Sequence, residues 1–284
     1  MKSLRVFLAF IKIRISISVS ITTLAGYIFC SGVFESAAFW AALGVFLMAS
    51  CSSALNELQE MKYDANMDRT KTRPLPMKLY SPLQGASIIV VLFLLASFIL
   101  YRFTTIDALL LSWFNLFWYN GIYTPMKRFT AFAVVPGSVV GAVPVLIGWA
   151  ASGGEWYHLN PLVLSFFMFL WQVPHFWLLI SKYAADYKNA GFPTMADHFD
   201  QEQLSRLVFV WISSTILASL LLVYFQMLSS IAGKSFAVVI NLWFWWISYA
   251  NLLGKEKKPR KVFILINVFM LLLMIIVIID SLYR

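Results

Sequence analysis

Asn56, Glu60 and Asp64 stand at four-residue steps, and Arg69 and Arg73 follow them. On a helix, side chains at i, i+4 and i+8 share one face, so the first three form a ladder of oxygen ligands. Hard oxygens suit a magnesium ion, and guanidinium forks grip phosphate oxygens in pairs. The set is therefore what a magnesium-bound diphosphate requires. It comes directly after an apolar run of membrane length, and ionisable residues at a membrane boundary are functional by default.

The elements that must position these residues follow from composition. Hydrophobic residues make up 61% of the chain and charged residues 12%, with a mean hydropathy of +0.77. A soluble domain carries about twice that charged fraction, so the solvent here is lipid. The expected fold class is all-α, a polytopic membrane helical bundle forming one transmembrane domain over residues 1–284. Apolar runs long enough to span a bilayer occur at Ile15–Val33, Ala37–Leu55, Leu83–Tyr101, Ile106–Ile122, Val134–Ala151, Leu162–Ser181, Leu207–Met227, Ile231–Leu253 and Val262–Ile279. They predict about nine transmembrane helices.

Basic residues gather at the N-terminus (Lys2, Arg5, Lys12, Arg14) and in alternate loops, at Lys62 to Lys78, Lys127 and Arg128, Lys182 to Arg206, and Lys255 to Lys261. The positive-inside rule then places the N-terminus and Asn56–Arg73 in the cytoplasm and Arg284 outside, in the cell membrane. The net charge of +9 reports this topology and not nucleic-acid binding, because no soluble domain carries a basic groove. Cys30 and Cys51 lie within expected spans without metal-ligand spacing, as small buried residues. The first apolar run is span-length and lacks a small-residue cleavage site, so no cleavable signal peptide is expected.

Two loops are longer and more polar than the rest, Asn56–Tyr80 and Lys182–Gln203. Both fall on the cytoplasmic face, so one site can draw on both halves of the bundle. In the second, Asp186 and Lys188 precede the helix-ending Gly191-Phe192-Pro193; taken alone they read as a solvated helix end, and the case for Asp186 rests on the first motif needing a partner. A third cluster runs from Asn120 through Tyr123, Thr124 and Pro125 to Lys127 and Arg128. Its charges either set topology or form a third edge of a diphosphate pocket, and Pro125 puts the helical turn from Tyr123 to Lys127 in doubt. Gln172 and His175 lie inside the sixth span, where a polar group needs a cavity or a partner. Pro136, Gly137, Gly141, Pro144 and Gly148 loosen the fifth span and let helices approach closely.

At these residues the chain resembles the intramembrane prenyltransferases of the UbiA superfamily, and within it the heme O synthases, or protoheme IX farnesyltransferases. The run Asn56 to Met67-Asp-Arg-Thr-Lys-Thr-Arg-Pro-Leu-Pro76 is similar to the family's first aspartate-rich motif and its tail. Tyr123-Thr-Pro-Met-Lys127-Arg128, Gly141-Ala-Val-Pro144 with Ile147-Gly-Trp149, Trp171-Gln-Val-Pro-His175-Phe and Asp186-Tyr-Lys-Asn-Ala-Gly-Phe-Pro193 resemble its later signatures in the same order. Glu60 stands where the superfamily usually has Asp, and Lys62 and Ala185 occupy positions that are often acidic. The number of magnesium ions is therefore left open.

The resemblance implies transfer of a farnesyl group from farnesyl diphosphate to a vinyl group of heme B, giving heme O after water adds. Magnesium held by Glu60, Asp64 and Asp186, with Asn56 beside them, would neutralise the leaving diphosphate. Arg69, Arg73, Lys127, Arg128 and Lys188 would bind its oxygens, and His175, Gln172 and Tyr123 would meet the acceptor. The expected partners are the lipid bilayer, the two substrates, and a heme A synthase or terminal oxidase assembly that takes over the product. A UbiA-type enzyme acting on a quinone precursor shares the diphosphate site. A transporter, the non-enzyme alternative, would carry its ionisable residues near the midplane on broken helices.

Overall fold

The computed structural model describes residues 2–284. A short helix α1 (Lys2–Phe10) leads through a left-handed Lys12 (φ 47°) into α2 (Ile13–Ser31), followed by α3 (Ser36–Asp64) and α4 (Pro82–Phe103). Next comes α5 (Ile106–Phe117), which continues through a π-helical turn at Trp118–Tyr123 into α6 (Thr124–Met126). After a 3₁₀ turn come α7 (Val134–Gly137), α8 (Val139–Ala151), α9 (Leu159–Lys182) and α10 (Ala184–Asn189). Three long helices complete the chain: α11 (Gln201–Tyr224), α12 (Ile231–Leu252) and α13 (Pro259–Leu282).

Among the described residues, eight segments are long and apolar enough to cross a membrane by themselves. The ninth expected crossing is the composite Ile106–Met126, whose α-helix is interrupted by the π turn. Two expectations change in their bounds. The ladder is helical, as its four-residue steps predict, but the loop expected from Asn56 begins only after Asp64: α3 has 29 residues, about 44 Å at 1.5 Å per residue, against about 30 Å of hydrocarbon. Its last turns therefore carry Glu60 and Asp64 past the apolar core. The turn after Tyr123 also persists despite Pro125, which takes an early position in α6 where it needs no donor, and the Lys127 N–H still reaches the Tyr123 carbonyl at 3.1 Å.

The core divides into clusters that share α2 and α8. Buried residues of α8, α9 and α11 to α13 form the larger cluster, including Phe167, Phe244 and Phe269. Two smaller ones centre on Leu100, where α2 to α5 meet Val143 and Ile147 of α8, and on Leu75, with residues of α1, α3 and α4. The halves join where α2 packs against α8 and α13. At the α2–α8 crossing, a Cβ on Gly26 would stand 2.2 Å from the Val145 carbonyl and one on Gly148 1.8 Å from the Thr23 carbonyl. Only glycine permits so close an approach.

Candidate active site

The end of α3 is buried although it is polar. Asn56, Glu60 and Asp64 are each no more than 3% exposed. Asn56 donates to Glu60 Oε2 at 3.0 Å and to Thr124 Oγ1 at 3.2 Å, and its own oxygen accepts from Lys12 Nζ at 2.9 Å. Lys127 Nζ lies 2.6 Å from Glu60 Oε2, and Arg73 Nη1 lies 2.6 Å from Asp64 Oδ2. One oxygen of each acid remains without any donor: Glu60 Oε1 and Asp64 Oδ1. Burial, with Arg73 and Lys127 near, lowers the Lys12 ammonium to about 7. Burial also lowers Lys127, partly offset by Glu60. Three cations thus converge on two carboxylates that still have lone pairs to offer.

The loop after α3 is fixed in place. Thr70 Oγ1 donates to the Asp64 carbonyl at 3.0 Å, and the Leu75 N–H donates to Glu57 Oε1 at 2.9 Å. The second polar loop meets the first, as expected: Met67 packs with Ala190 and Phe192, joined by Tyr63 and Tyr187. Arg69 closes the contact, with its backbone N–H donating to Asp186 Oδ2 at 3.2 Å and its guanidinium over the Tyr183 ring at 5.2 Å. Asp186 therefore ties the two loops together, and the three carboxylates expected to share a metal form no single cluster among the described residues. Arg128 donates to the Gln59 carbonyl at 3.1 Å and lies over Tyr63 at 4.9 Å, bracing α3 from outside the ladder. Lys188 is exposed and faces Asp197, whose carboxyl is lowered chiefly by hydrogen bonds from Thr194.

Beneath the ladder an apolar cavity of about 190 Å³ runs between α2, α3, α5, α8 and α9. Lys12 and Ser52 mark its polar end, and Asn115, Gly141, Gln172 and Phe176 line its interior. Tyr123 stands where these parts meet, with Tyr119 at 5.6 Å, Phe176 at 6.3 Å and Lys127 Nζ 5.6 Å from its ring. Gln172 and His175 part company. Gln172 lines the cavity, whereas His175 stacks on Trp171 at 4.8 Å and faces α13, with Phe263 at 5.2 Å.

A family model for the UbiA prenyltransferase family matches residues 19–273. The chain belongs to the UbiA prenyltransferase family. It is 31% identical over 279 residues to the protoheme IX farnesyltransferase of Oleidesulfovibrio alaskensis, covering 98% of this chain and 97% of that one. Its fold is similar to a solved structure from a study of digeranylgeranylglyceryl phosphate synthase in membranes, with a TM-score of 0.81 at 15% identity, covering 100% of both chains. A UbiA homolog from Archaeoglobus fulgidus solved with GPP and Mg2+ gives a TM-score of 0.72 at 14% identity, covering 98% of this chain and 100% of that one.

Two groups in this UbiA family member, Lys12 and Glu57, carry no sequence signal strong enough to have been found, and for Asn120, the start of the third cluster, the sequence shows no partner. Lys12 reads as one of several topology-setting charges, and its reach to Asn56 depends on the left-handed elbow between α1 and α2. Glu57, fully buried, sits one residue from the ladder on a different face, which the four-residue spacing does not select. Asn120 bonds Ser52 Oγ at 2.7 Å and Gln59 at 3.1 Å, positions set by the π turn. A polar residue beside a glycine near the end of an apolar span was the one available hint.

Proposed function

We propose that the protein is a magnesium-dependent farnesyltransferase that joins the farnesyl group of farnesyl diphosphate to a vinyl group of heme B, forming heme O. The observation that carries the reading is contiguity: Lys12, which bonds the ladder at Asn56 beside acids with free buried oxygens and the cations Arg73 and Lys127, also lines the head of an apolar cavity. That is the shape of a diphosphate with a hydrocarbon tail. The acceptor is taken from relatives named protoheme IX farnesyltransferase that align over nearly the whole chain.

Glu60 Oε1 and Asp64 Oδ1 fit a magnesium ion, which characteristically takes one or two carboxylates and fills its octahedron with phosphate oxygens and water. When bound, the ion neutralises charge on the leaving diphosphate. In this reading Arg73 and Lys127 exchange their carboxylate partners for non-bridging phosphate oxygens, and Lys12 approaches from the α1–α2 elbow. Arg69 and Asp186 hold the second loop over the site, with Lys188 and Arg128 at its rim. The faces of Tyr119, Tyr123 and Phe176 surround the point where the allylic cation develops. Tyr123 and Gln172 lie on the acceptor's path, and His175 acts from the α13 side.

The chain works as one domain in the cell membrane, with the ladder face cytoplasmic by its excess of Lys and Arg, and passes heme O to a heme A synthase or terminal oxidase assembly. Mass spectrometry of hemes from cells expressing the chain tests the activity: heme O is expected, and heme B alone refutes it. Chelation of magnesium in isolated membranes is expected to stop the reaction.

A further inference from the structure

Helix α8 contains Pro144, which has no N–H to give the carbonyl four residues earlier. That carbonyl belongs to Val140, and it accepts instead from Asn115 Nδ2 at 3.2 Å. The bond fixes the Asn115 amide and turns its Oδ1 away, out of contact with solvent and with no donor. At the next residue, Gly141, a Cβ would fall 1.6 Å from Gln172 Oε1, so the glycine exists in a space that the Gln172 amide fills. Gln172 Oε1 is likewise buried without a donor. Two orphaned amide oxygens therefore flank one peptide of α8, Val140–Gly141, and both residues line the cavity below the ladder.

Buried acceptors of this kind call for a donor. A hard cation takes six or more oxygens, and these two amides fall short of that. A water molecule needs two to four polar partners and about 10–15 Å³, against a cavity of about 190 Å³. We propose that Asn115 and Gln172 bind one water between them and present it to the carbocation formed on the acceptor, so that these two amides determine that the product carries a hydroxyl group. The inference rests on the reading of the acceptor as a porphyrin vinyl group.

The geometry suits the chemistry. A water that donates both hydrogens to amide oxygens has its lone pairs turned toward the cavity. The C1–O bond of farnesyl diphosphate breaks and its electron pair leaves with the diphosphate. The vinyl π pair forms the new C–C bond to C1, placing positive charge on the carbon attached to the macrocycle. The water's lone pair closes on that carbon, and the proton it sheds goes to the released diphosphate. No oxidant or reductant is needed. Without an oriented water the same cation loses a proton from the adjacent carbon, giving an alkene.

The test compares Gln172→Leu, Asn115→Leu and Gln172→Glu with the parent in membranes supplied with farnesyl diphosphate and heme B. Liquid chromatography with mass detection resolves the hydroxylated adduct from the adduct lighter by one water. The ratio of the two does not depend on how much of a variant folds, and the two sites lie on different helices. Each leucine variant is expected to raise the alkene share about tenfold, since an unheld nucleophile loses its alignment, while Gln172→Glu, which keeps an acceptor oxygen, retains the hydroxylated product. A ratio equal to the parent's in both leucine variants overturns the proposal. Failure of the underlying reading looks different: the parent then forms neither adduct.

Discussion

Glu57 touches no expected substrate atom, yet it is expected to control how farnesyl diphosphate binds. Its Oε1 accepts the Leu75 N–H at 2.9 Å, and Leu75 is buried two residues after Arg73, whose Nη1 meets Asp64 at 2.6 Å. Glu57→Ala removes a hydrogen bond to a charged group, about 1.5–3 kcal/mol, and leaves a buried N–H unsatisfied. The segment around Pro74 then loses its anchor, and Arg73 shifts. If that energy is lost from the grip of Arg73 on the diphosphate, about 1.5–3 kcal/mol corresponds to about 10- to 100-fold in affinity, and the KM for farnesyl diphosphate is expected to rise by that factor. Glu57→Gln keeps an acceptor oxygen and removes a buried charge whose Oε2 has no donor, so only a few-fold change is expected. Steady-state kinetics on the purified enzyme in lipid nanodiscs supplies these values. The decisive step is a double-variant cycle with Arg73→Ala: because Glu57 is argued to act through Arg73, the two changes should couple by about 1–3 kcal/mol. Strictly additive effects, or an unchanged KM in Glu57→Ala, would refute the chain from Glu57 to Arg73.

Asp64→Ala is expected to abolish prenyl transfer while the protein stays folded in the membrane, read by turnover beside size-exclusion elution; turnover that keeps its magnesium dependence removes Asp64 from the site. Asp186→Asn weakens the acceptor of the Arg69 N–H and is expected to raise the KM for farnesyl diphosphate several-fold by loosening the contact between loops, with equal values in variant and parent refuting that role. Cysteines at Lys71 and Asp200, both exposed, are expected to react with an impermeant thiol reagent only from the cytoplasmic side, and labelling from outside intact cells contradicts the orientation. His175→Ala is expected to leave the KM for farnesyl diphosphate unchanged, because His175 faces α13 and not the cavity; a raised value assigns it to the prenyl half.

The membrane class and nearly every span were legible because hydrophobic runs of the right length have one physical meaning in a chain this apolar. Boundaries were less so. The sequence shows where apolar residues stop, at Leu55, but α3 runs on to Asp64, since a helix needs no lipid once its polar side chains have partners. The ladder itself was legible as a four-residue period, and the structure places Asn56, Glu60, Asp64, Arg73 and Lys127 together. What the period does not convey is pairing: Asp186 meets the Arg69 backbone, and Arg128 meets the Gln59 backbone. Those partners depend on the path of two loops that no periodicity specifies.

The site's position at the end of α3 also explains why its acids and bases neutralise one another before substrate arrives. An isolated carboxylate so fully buried in protein would be costly, so Glu60 and Asp64 are stable there only because Lys127 and Arg73 reach them. Those same bonds leave Glu60 Oε1 and Asp64 Oδ1 free, since each cation occupies one oxygen of its partner. In the proposed reaction the incoming anion and its cation replace each ion pair with two new ones, so the number of buried charges in contact with an opposite charge never falls. Binding then requires little repacking of the helices. The cost of desolvating a diphosphate is offset by groups that the fold has already desolvated, which is the electrostatic preorganisation that speeds the departure of an anionic leaving group.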